Sequence, residues 1–446
     1  MKLAVVVQRY GADIGGGAEL HARYVAEHLA RHAEVEVLTT CARDYVTWRN
    51  ELAPGVEVIN GVPVRRFAVR APRDPQRFGR QSELVFEHPH SVNDELAWLD
   101  AEGPASRTLI RYIEAHQDAY DFLLFFSFRY YHAYHGCRAA APRAVLVPTA
   151  ERDPAVGVGL FGPIFRGVRA LMYNSHEEQA MLQAVSGNQA VPGVVVGIGS
   201  EIPDAVDPGR FRQKYGLNGR FALYVGRIDR NKGCDELFAF FQAYVRQASS
   251  PLTLVLIGQS VLPVPSHPQI RHLGFLDDAD KFDALAAADL LIMPSYYESL
   301  SMVTLEAWAL GRPVLANAHC HVLKGQCLRS NAGLYYADYQ EFAATLRALE
   351  SDGALRTALG DRGRSFFGRH YAWPVIEGKY LDLLGQLARE DRQAGGRRPH
   401  AIAPLPGWFA RRAATLPPAR EVLTRATARE AAASRPAPAI PREAHA

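Results

Sequence analysis

Short apolar runs alternate with stretches of helical periodicity along most of the chain. The first run, LAVVVQ, precedes AELHARYVAEHLARHA, where Leu20, Tyr24, Val25 and Leu29 recur at the spacing of one helix face. EVEVLTT, PVRRFAV, YDFLLFFSF, AVLVPT, ALMYNS and VPGVVVGIG follow as further predicted strands. Strands that alternate with helices indicate a parallel sheet covered on both faces.

A second series begins after SEIPDAVDPGRFRQKYGLNGR, whose Pro, Gly and Asp content is typical of an interdomain connection. FALYVGRI, LTLVLIG, DLLIMPS and PVLAN are its predicted strands, and helical patterns such as DELFAFFQAYVRQA separate them. We therefore predict an α/β protein with two doubly wound, Rossmann-like domains, over residues 1–200 and 201–375. A closing helix is expected over 376–394.

The last part of the chain, residues 395–446, differs in composition. It holds nine arginines, no lysine and three glutamates, a net charge of +6 in a chain whose total is +3. Its Ala/Pro/Arg-rich sequence predicts a disordered basic tail. PLPGWFARRAA, around Trp408, is a candidate docking or membrane-surface element. The rest of the chain is slightly acidic, which does not favour nucleic-acid binding.

The apolar runs and the cysteines indicate the cellular compartment of the protein. No run approaches the roughly 18–20 residues of a membrane span. MKLAVVVQRY is too short in its apolar part for a signal-peptide core. The five cysteines are scattered and odd in number, which suits reduced thiols. We expect a cytoplasmic protein, with contact between the tail and the inner face of an anionic membrane as an open option.

The turn GADIGGGAEL lies between the first predicted strand and the first helix. Backbone N–H groups at such a turn can face an anion. A phosphate-binding P-loop requires G-K-[ST], and a dinucleotide fingerprint requires a third glycine where Leu20 stands. Gly15, Gly16 and Gly17 therefore predict either a structural turn or a ligand site beside a cleft.

The stretch YVGRIDRNKG places two cations after the first strand of the second domain. Arg227 and Lys232 would lie at the carboxyl edge of that sheet, where open α/β sheets bind ligands. A guanidinium fork and an ammonium point charge suit a diphosphate. The alternative is a solvated basic turn.

The stretch YYESLSMVTLE carries two glutamates eight positions apart. Glu298 is expected in the loop, Ser299 or Ser301 at the cap of the next helix, and Glu306 about two turns into that helix. Free N–H groups near residues 299–303 would form a second anion site. Glu306 could accept hydrogen bonds from a ribose diol, although both acids could also be ordinary surface charges.

Together these motifs resemble the retaining family 4 glycosyltransferases of the GT-B fold, over roughly residues 1–390. GGGAE, VGRIDRNKG and GFLDDADKFDALAAADLLIMPSYYESLSMVTLEAWALGRPVLA carry the resemblance. It implies a nucleoside diphosphate sugar as donor substrate and no further cofactor.

The resemblance also implies roles for individual residues. Arg227 and Lys232 would bind the donor diphosphate and, with Glu298 beside the donor sugar, would serve catalysis. Glu306 would hold the ribose. The remaining donor contacts would come from Gly16, Gly17, Ser299, Leu300 and Ser301.

One loop departs from the family pattern. Many relatives carry a His-Asp pair where this chain has VPTAERDPA, with Glu151, Arg152 and Asp153. Glu151 is our candidate for a further catalytic group, because a carboxylate there could bond a sugar or acceptor hydroxyl. Alternatively, Arg152 pairs with Glu151 and the loop is structural.

A competing set of side chains, in NAHCHVLKGQC, consists of His319, Cys320, His321 and Cys327. Its composition suits zinc, but its spacing matches no standard finger. We expect no metal site, since cationic side chains already serve the diphosphate.

The expected function is transfer of a hexose from GDP-mannose or a UDP-hexose to a glycan or lipid-linked acceptor. By the resemblance, the anomeric configuration is retained and the product belongs to cell-surface polysaccharide or lipopolysaccharide. A non-catalytic sugar-nucleotide binder and a GT-B sugar-nucleotide epimerase remain alternatives. A nicotinamide oxidoreductase is disfavoured by the missing fingerprint.

Overall fold

The computed structural model describes residues 1–396 and 400–433, and its first sheet belongs to the N-terminal half. Its strands are β1 (Lys2–Val6), β2 (Glu34–Thr40), β3 (Gly55–Ile59), β4 (Val62–Phe67), β5 (Phe122–Phe126), β6 (Ala144–Val147), β7 (Ala170–Tyr173) and β8 (Gly193–Val195). They are ordered β3-β4-β2-β1-β5-β6-β7-β8. All neighbours are parallel except β3 and β4. The central strands are fully buried, as expected for a sheet covered on both faces.

Helices cover both faces of this sheet. They are α1 (Gly17–Leu29), α2 (Pro75–Glu87), α3 (Val92–Glu102), α4 (Arg107–His116), α5 (Tyr131–Ala139), α6 (Phe161–Gly167) and α7 (His176–Ser186). A 3-10 turn at Pro154–Gly157 follows β6. One apolar cluster packs α1 on one face of the sheet, and a second packs α3 to α7 on the other.

The second sheet is parallel throughout. Its strands are β9 (Phe221–Val225), β10 (Thr253–Ile257), β11 (Ile270–His272), β12 (Leu290–Met293), β13 (Val314–Asn317) and β14 (Gly333–Tyr336), ordered β11-β10-β9-β12-β13-β14. Its helices are α8 (Pro208–Tyr215), α9 (Cys234–Ala248), α10 (Asp278–Ala287), α11 (Met302–Ala309), α12 (His321–Ser330), α13 (Tyr339–Ser351) and α14 (Gly353–His370). The predicted architecture of two doubly wound domains is confirmed.

Helix α15 (Trp373–Gln393) returns from the second domain to the first. Tyr380 contacts His21 of α1, and the Lys379 ammonium donates to the carbonyl of Val196, 2.9 Å away. Arg169 pairs with Glu390 near the end of the helix. The helix therefore joins the two domains, while the boundaries 200/201 and 375/376 stay predictions.

The predicted disordered tail is wrong for residues 400–433. This segment lies on the first domain and forms α16 (Trp408–Ala413) and α17 (Ala419–Ala433). Ala419, Leu423 and Ala426 are buried because α17 packs on α7 and on the 3-10 turn. Residues 397–399 and 434–446 of the predicted tail lie outside the described residues. Among the helices that the structure describes, none combines the length and apolar character needed to cross a bilayer.

Candidate active site

A cleft between the domains holds a cavity of about 610 Å³. Most of its walls come from segments that follow β1, β5, β6 and β9, at carboxyl ends of strands: residues 15–19, 127–130, 148–149, Glu151, Asp153, Arg227 and Lys232. Strand order reverses between β1 and β5 in the first sheet and between β9 and β12 in the second. Ligands of open α/β sheets bind at such points. The volume is in the range of ligand pockets, roughly 300–1,000 Å³.

A second cavity of about 270 Å³ shares part of this lining. Lys232, Glu151 and Gly17 line both cavities. Glu298 and the start of α11 complete the second one. The structure thus brings together side chains that are far apart in the sequence, on one continuous surface.

The glycine turn after β1 lies against this surface. Gly16, with φ of 140°, precedes α1, and a Cβ there would lie 2.3 Å from Glu19 Oε2. Gly15 and Gly17 face open space, because an added Cβ would meet nothing within 4 Å. Gly16 is therefore required by the backbone, while Gly17 leaves room for a ligand at the beginning of α1.

The two predicted cations lie in one loop that Asp229 organises. Asp229 accepts hydrogen bonds from the guanidinium of Arg227 and, at 2.8 Å, from the backbone N–H of Lys232. Burial opposes the charge of Arg227, but Asp229 outweighs it and raises the pKa. Gly233 lets the loop approach the end of β12, since a Cβ there would lie 2.2 Å from the Pro294 carbonyl oxygen. Sequence reasoning missed Asp229.

Lys232 joins this loop to the first of the two glutamates. Its ammonium lies 2.8 Å from Glu298 Oε1, and both side chains are mostly buried, with 26% and 12% of their surfaces exposed. Burial lowers the pKa of Lys232, but Glu298 and Glu151 more than compensate and raise it. The cation is thus held charged at the wall of both cavities.

The segment before α11 differs from the predicted cap. Ser301 occupies the cap position with φ of 75°, but its side chain caps no backbone N–H and instead bonds the Thr304 hydroxyl at 3.0 Å. Ser299 accepts from the Asn174 amide of the first domain at 3.4 Å. Leu300 is fully buried. Ser299 and Ser301 line the second cavity, whereas the Leu300 side chain belongs to the core.

Glu306 is more deeply buried than Glu298, the other glutamate of this motif. It is 4% exposed, and its Oε1 accepts from Ser200 at 2.8 Å and from Lys281 at 3.2 Å. It lines neither cavity. Because both bonds fall on Oε1, Oε2 is left to accept from a ribose hydroxyl, and that role stays a prediction.

Glu151 follows β6 and lines both cavities. Burial raises its pKa to about 7, Glu298 and Asp153 add to the rise, and Lys232 and Arg129 oppose it. A carboxyl group with this pKa changes charge near neutral pH.

Arg152 does not pair with Glu151 in the described contacts. It donates to Thr427 and to Glu430 of α17 instead. Asp153 accepts from Arg129 at 2.7 Å. The contacts from Arg129 and α17 to this loop had no signal in the sequence, because their partners are far away along the chain.

The candidate zinc ligands do not converge. His319 bonds the Ala337 carbonyl at 3.0 Å and stacks on Tyr296, and Cys320 and Cys327 are buried free thiols. Within residues 1–396 and 400–433, no group of three or more His, Cys, Asp or Glu side chains could hold a metal ion.

Comparison with known proteins identifies the second domain by sequence. Residues 219–352 match the family model described as Glycosyl transferases group 1. A D-inositol 3-phosphate glycosyltransferase of Kineococcus radiotolerans is 27% identical over 437 residues, which span 86% of this chain and 93% of that protein. The lipopolysaccharide core biosynthesis glycosyltransferase LpsE of Rhizobium meliloti is 31% identical over 120 residues, 26% of this chain and 34% of LpsE.

Solved structures extend the likeness to most of the chain. Sucrose-phosphate synthase from Thermosynechococcus elongatus covers 88% of this chain and 99% of its own, with a TM-score of 0.63 and 18% identity. Anabaena HepE in complex with UDP-glucose covers 87% of this chain and 100% of its own, with a TM-score of 0.62 and 18% identity. The fold and the cleft define a GT-B glycosyltransferase, a class that acts on nucleotide sugars. The match to the glycosyl transferases group 1 lies within the second domain, over residues 219–352.

Proposed function

We propose that the protein transfers a hexosyl group from a nucleoside diphosphate hexose to a glycan or lipid-linked acceptor, with retention of anomeric configuration. The donor is GDP-mannose or a UDP-hexose, and the product is part of a cell-surface polysaccharide or lipopolysaccharide. No divalent metal takes part.

The cation pair at the cavity is the observation that carries this proposal. Arg227 and Lys232 lie on the second domain and face the open glycine turn of the first. A leaving nucleoside diphosphate gains negative charge as the sugar–phosphate bond breaks. Fixed cations in a partly dry cleft stabilise that charge without reorganising, which is a large source of rate enhancement. The same two cations make a metal unnecessary.

The acidic residues around the cavity could bind the hexose and the ribose of the donor. Glu298 lies beside Lys232, where the hexose would follow the diphosphate. Glu306 has Oε2 available for a ribose hydroxyl. Glu151 lines the same cavity from the first domain, where an acceptor hydroxyl would enter. Its carboxylate would stabilise positive charge that develops at the anomeric carbon.

The names of the similar proteins support the choice of donor and product class. HepE is described in complex with UDP-glucose, and LpsE as a lipopolysaccharide core biosynthesis enzyme. WaaG, with a TM-score of 0.54 and 17% identity, is described as a glycosyltransferase involved in lipopolysaccharide biosynthesis.

A lipid-linked acceptor would bring the protein to a membrane surface on the cytoplasmic side. Trp408 and Phe409 of α16 are 52% and 82% exposed, and Arg411 and Arg412 follow them. Exposed aromatic rings beside arginines suit the boundary of an anionic bilayer. Because α16 packs on α3, such contact would be made by the first domain.

The test has two stages, both in EDTA. A panel of UDP- and GDP-hexoses is screened for a rise in the thermal unfolding midpoint, since a ligand stabilises the folded state by mass action. The donor that binds is then incubated with glycan and lipid-linked acceptors, and NMR gives the anomeric configuration of the product. An inverted product, or donor binding with no transfer to any acceptor, contradicts the proposal. Release of a 2-epimer would favour the epimerase.

A further inference from the structure

Residues 400–433, called the C-terminal strap below, lie along the first domain on the side of the Glu151 loop. His400 contacts the Val168 carbonyl at 2.6 Å, and the Ala403 carbonyl accepts from Arg138 at 2.9 Å. Leu416 and His90 exchange two backbone hydrogen bonds, of 2.7 and 3.1 Å. The strap is thus bonded to the domain along much of its length.

At two glycines of the first domain, the strap approaches the domain backbone very closely. A Cβ on Gly157 would lie 2.0 Å from the Ala419 carbonyl oxygen, and a Cβ on Gly167 would lie 2.7 Å from Ile402 Cγ1. Gly157 ends the 3-10 turn that follows the Glu151 loop. The backbone of α17 therefore rests directly on the segment that leads out of this loop, as only closely fitted surfaces allow.

Contacts on every side fix the Glu151 loop. Before Glu151, the backbone N–H of Ala150 donates a hydrogen bond to Glu178. After Glu151, Asp153 accepts a hydrogen bond from Arg129. Arg152 lines neither of the two cavities described above and donates to two side chains of α17: to the Thr427 hydroxyl at 2.5 Å and to Glu430. Glu151 lies between these contacts and faces the cavity.

We propose that the C-terminal strap is a positioning element of the active site, with Arg152, Thr427 and Glu430 holding Glu151 in the geometry needed for transfer. The inference rests on the proposed function. Arg152 and Glu430 touch no part of the cavity that would hold the reacting atoms, so they are positioning residues and not catalytic ones.

Burial makes the loss of one partner of this pair more costly than in a surface ion pair. The side chains of Arg152 and Glu430 are 21% and 16% exposed, whereas those of Arg420 and Glu87, which join α17 to α2, are 58% and 41% exposed. Removing one partner of a mostly buried pair takes away an attraction that offsets the desolvation of the remaining charge, so the local structure rearranges. Displacing a group at the reacting centre by about 1 Å can lower the rate about 100-fold.

The test uses point variants of the full chain, because deleting the strap would expose its buried apolar contacts. Arg152→Ala, Thr427→Val and Glu430→Gln are compared with Arg420→Ala, which removes an exposed ion pair between α17 and Glu87 of α2 and leaves the contacts of Arg152 in place. The double variant Arg152→Glu/Glu430→Arg reverses the charges. Single-turnover transfer, donor affinity and amide hydrogen exchange of residues 148–157 are measured for each.

We expect Arg152→Ala and Glu430→Gln to lower the transfer rate by at least about tenfold and to leave donor affinity within about twofold. Exchange of residues 148–157 should become faster in these variants but not in Arg420→Ala. The double variant should recover part of the rate. Equal rates and equal loop exchange in Arg152→Ala, Glu430→Gln and Arg420→Ala would overturn the inference.

The two proposals fail in different ways. A wild-type protein that transfers no sugar contradicts the proposed function, while the exchange of residues 148–157 still decides whether the strap holds the loop. An active wild type with unaffected variants rejects the strap alone. If Arg152→Ala does not fold, Thr427→Val and Glu430→Gln carry the comparison.

Discussion

The buried carboxyl group of Glu151 is expected to destabilise the free protein above neutral pH. Burial raises its pKa from 4.5 to about 7. Between these values the folded state keeps a proton that the unfolded state has lost, so stability falls as the pH rises. At 1.36 kcal/mol per pKa unit, the loss reaches about 3 kcal/mol above pH 7. Glu151→Gln removes the charge and with it this loss.

Thermal unfolding of both proteins between pH 4.5 and 8 measures the effect. Near pH 4.5, loss of this carboxyl group should not raise the unfolding midpoint of Glu151→Gln above that of the wild type. From there to pH 7, the midpoint of Glu151→Gln should rise progressively relative to that of the wild type. At about 2–4 °C per kcal/mol for a domain of this size, the added shift at pH 8 is about 6 °C or more. Glu114→Gln, on the exposed face of α4, is the control. A midpoint difference that does not change with pH would contradict a raised pKa of Glu151 in the folded protein.

The same variant tests the catalytic role. If the ionised carboxylate stabilises the anomeric carbon, the wild-type transfer rate rises as the pH passes through about 7. Glu151→Gln should keep donor affinity, transfer slowly, and lack this rise. An unchanged single-turnover rate, or a joint loss of folding and donor binding, would remove Glu151 from the mechanism.

Three further predictions follow from the site and the strap. Arg227→Ala and Lys232→Ala should each lower steady-state turnover by at least about tenfold, because each removes charge stabilisation of the leaving group; wild-type rates in both would reject the diphosphate assignment. Transfer should persist in EDTA, and a requirement for added Mg²⁺ or Mn²⁺ would count against metal independence. Trp408→Ser/Phe409→Ser should reduce cosedimentation with anionic vesicles and leave soluble donor binding intact, whereas equal sedimentation would exclude contact through α16.

Much of the fold follows from short apolar runs. YDFLLFFSF contains β5, whose residues are all buried, and DLLIMPS contains β12. The pattern fails where burial is slight. Helix α2 buries only Val85 completely, and β3 is an exposed edge strand, so no run of consecutive buried apolar residues marks either one.

Composition gave the wrong prediction of disorder for residues 400–433. Ala419, Leu423 and Ala426 recur at helical spacing and are buried, but alanines bury little apolar area and are frequent throughout that segment. The close contact with Gly157 depends on small residues on both sides, which no hydrophobic pattern reveals.

The candidate site was predictable where it depends on strand order. Arg227, Lys232, Glu298 and Glu151 all follow strands, and carboxyl ends of parallel strands meet at one edge. The partners that fix them were not predictable, because Arg152 and Thr427 are 275 positions apart. The Lys281–Glu306 pair joins two helices in the same way.

Binding of a nucleotide at the cleft can be measured by calorimetric titration of nucleoside diphosphates and their hexoses into the wild type and Lys232→Ala, both in EDTA. UDP or GDP, alone and as the hexose, should bind the wild type, and Lys232→Ala should weaken this binding by at least about tenfold, as expected for the loss of a charge-assisted contact. Equal affinity in the two proteins, or no binding of either nucleotide to the wild type, would contradict the assignment of the cleft as a nucleotide-sugar site.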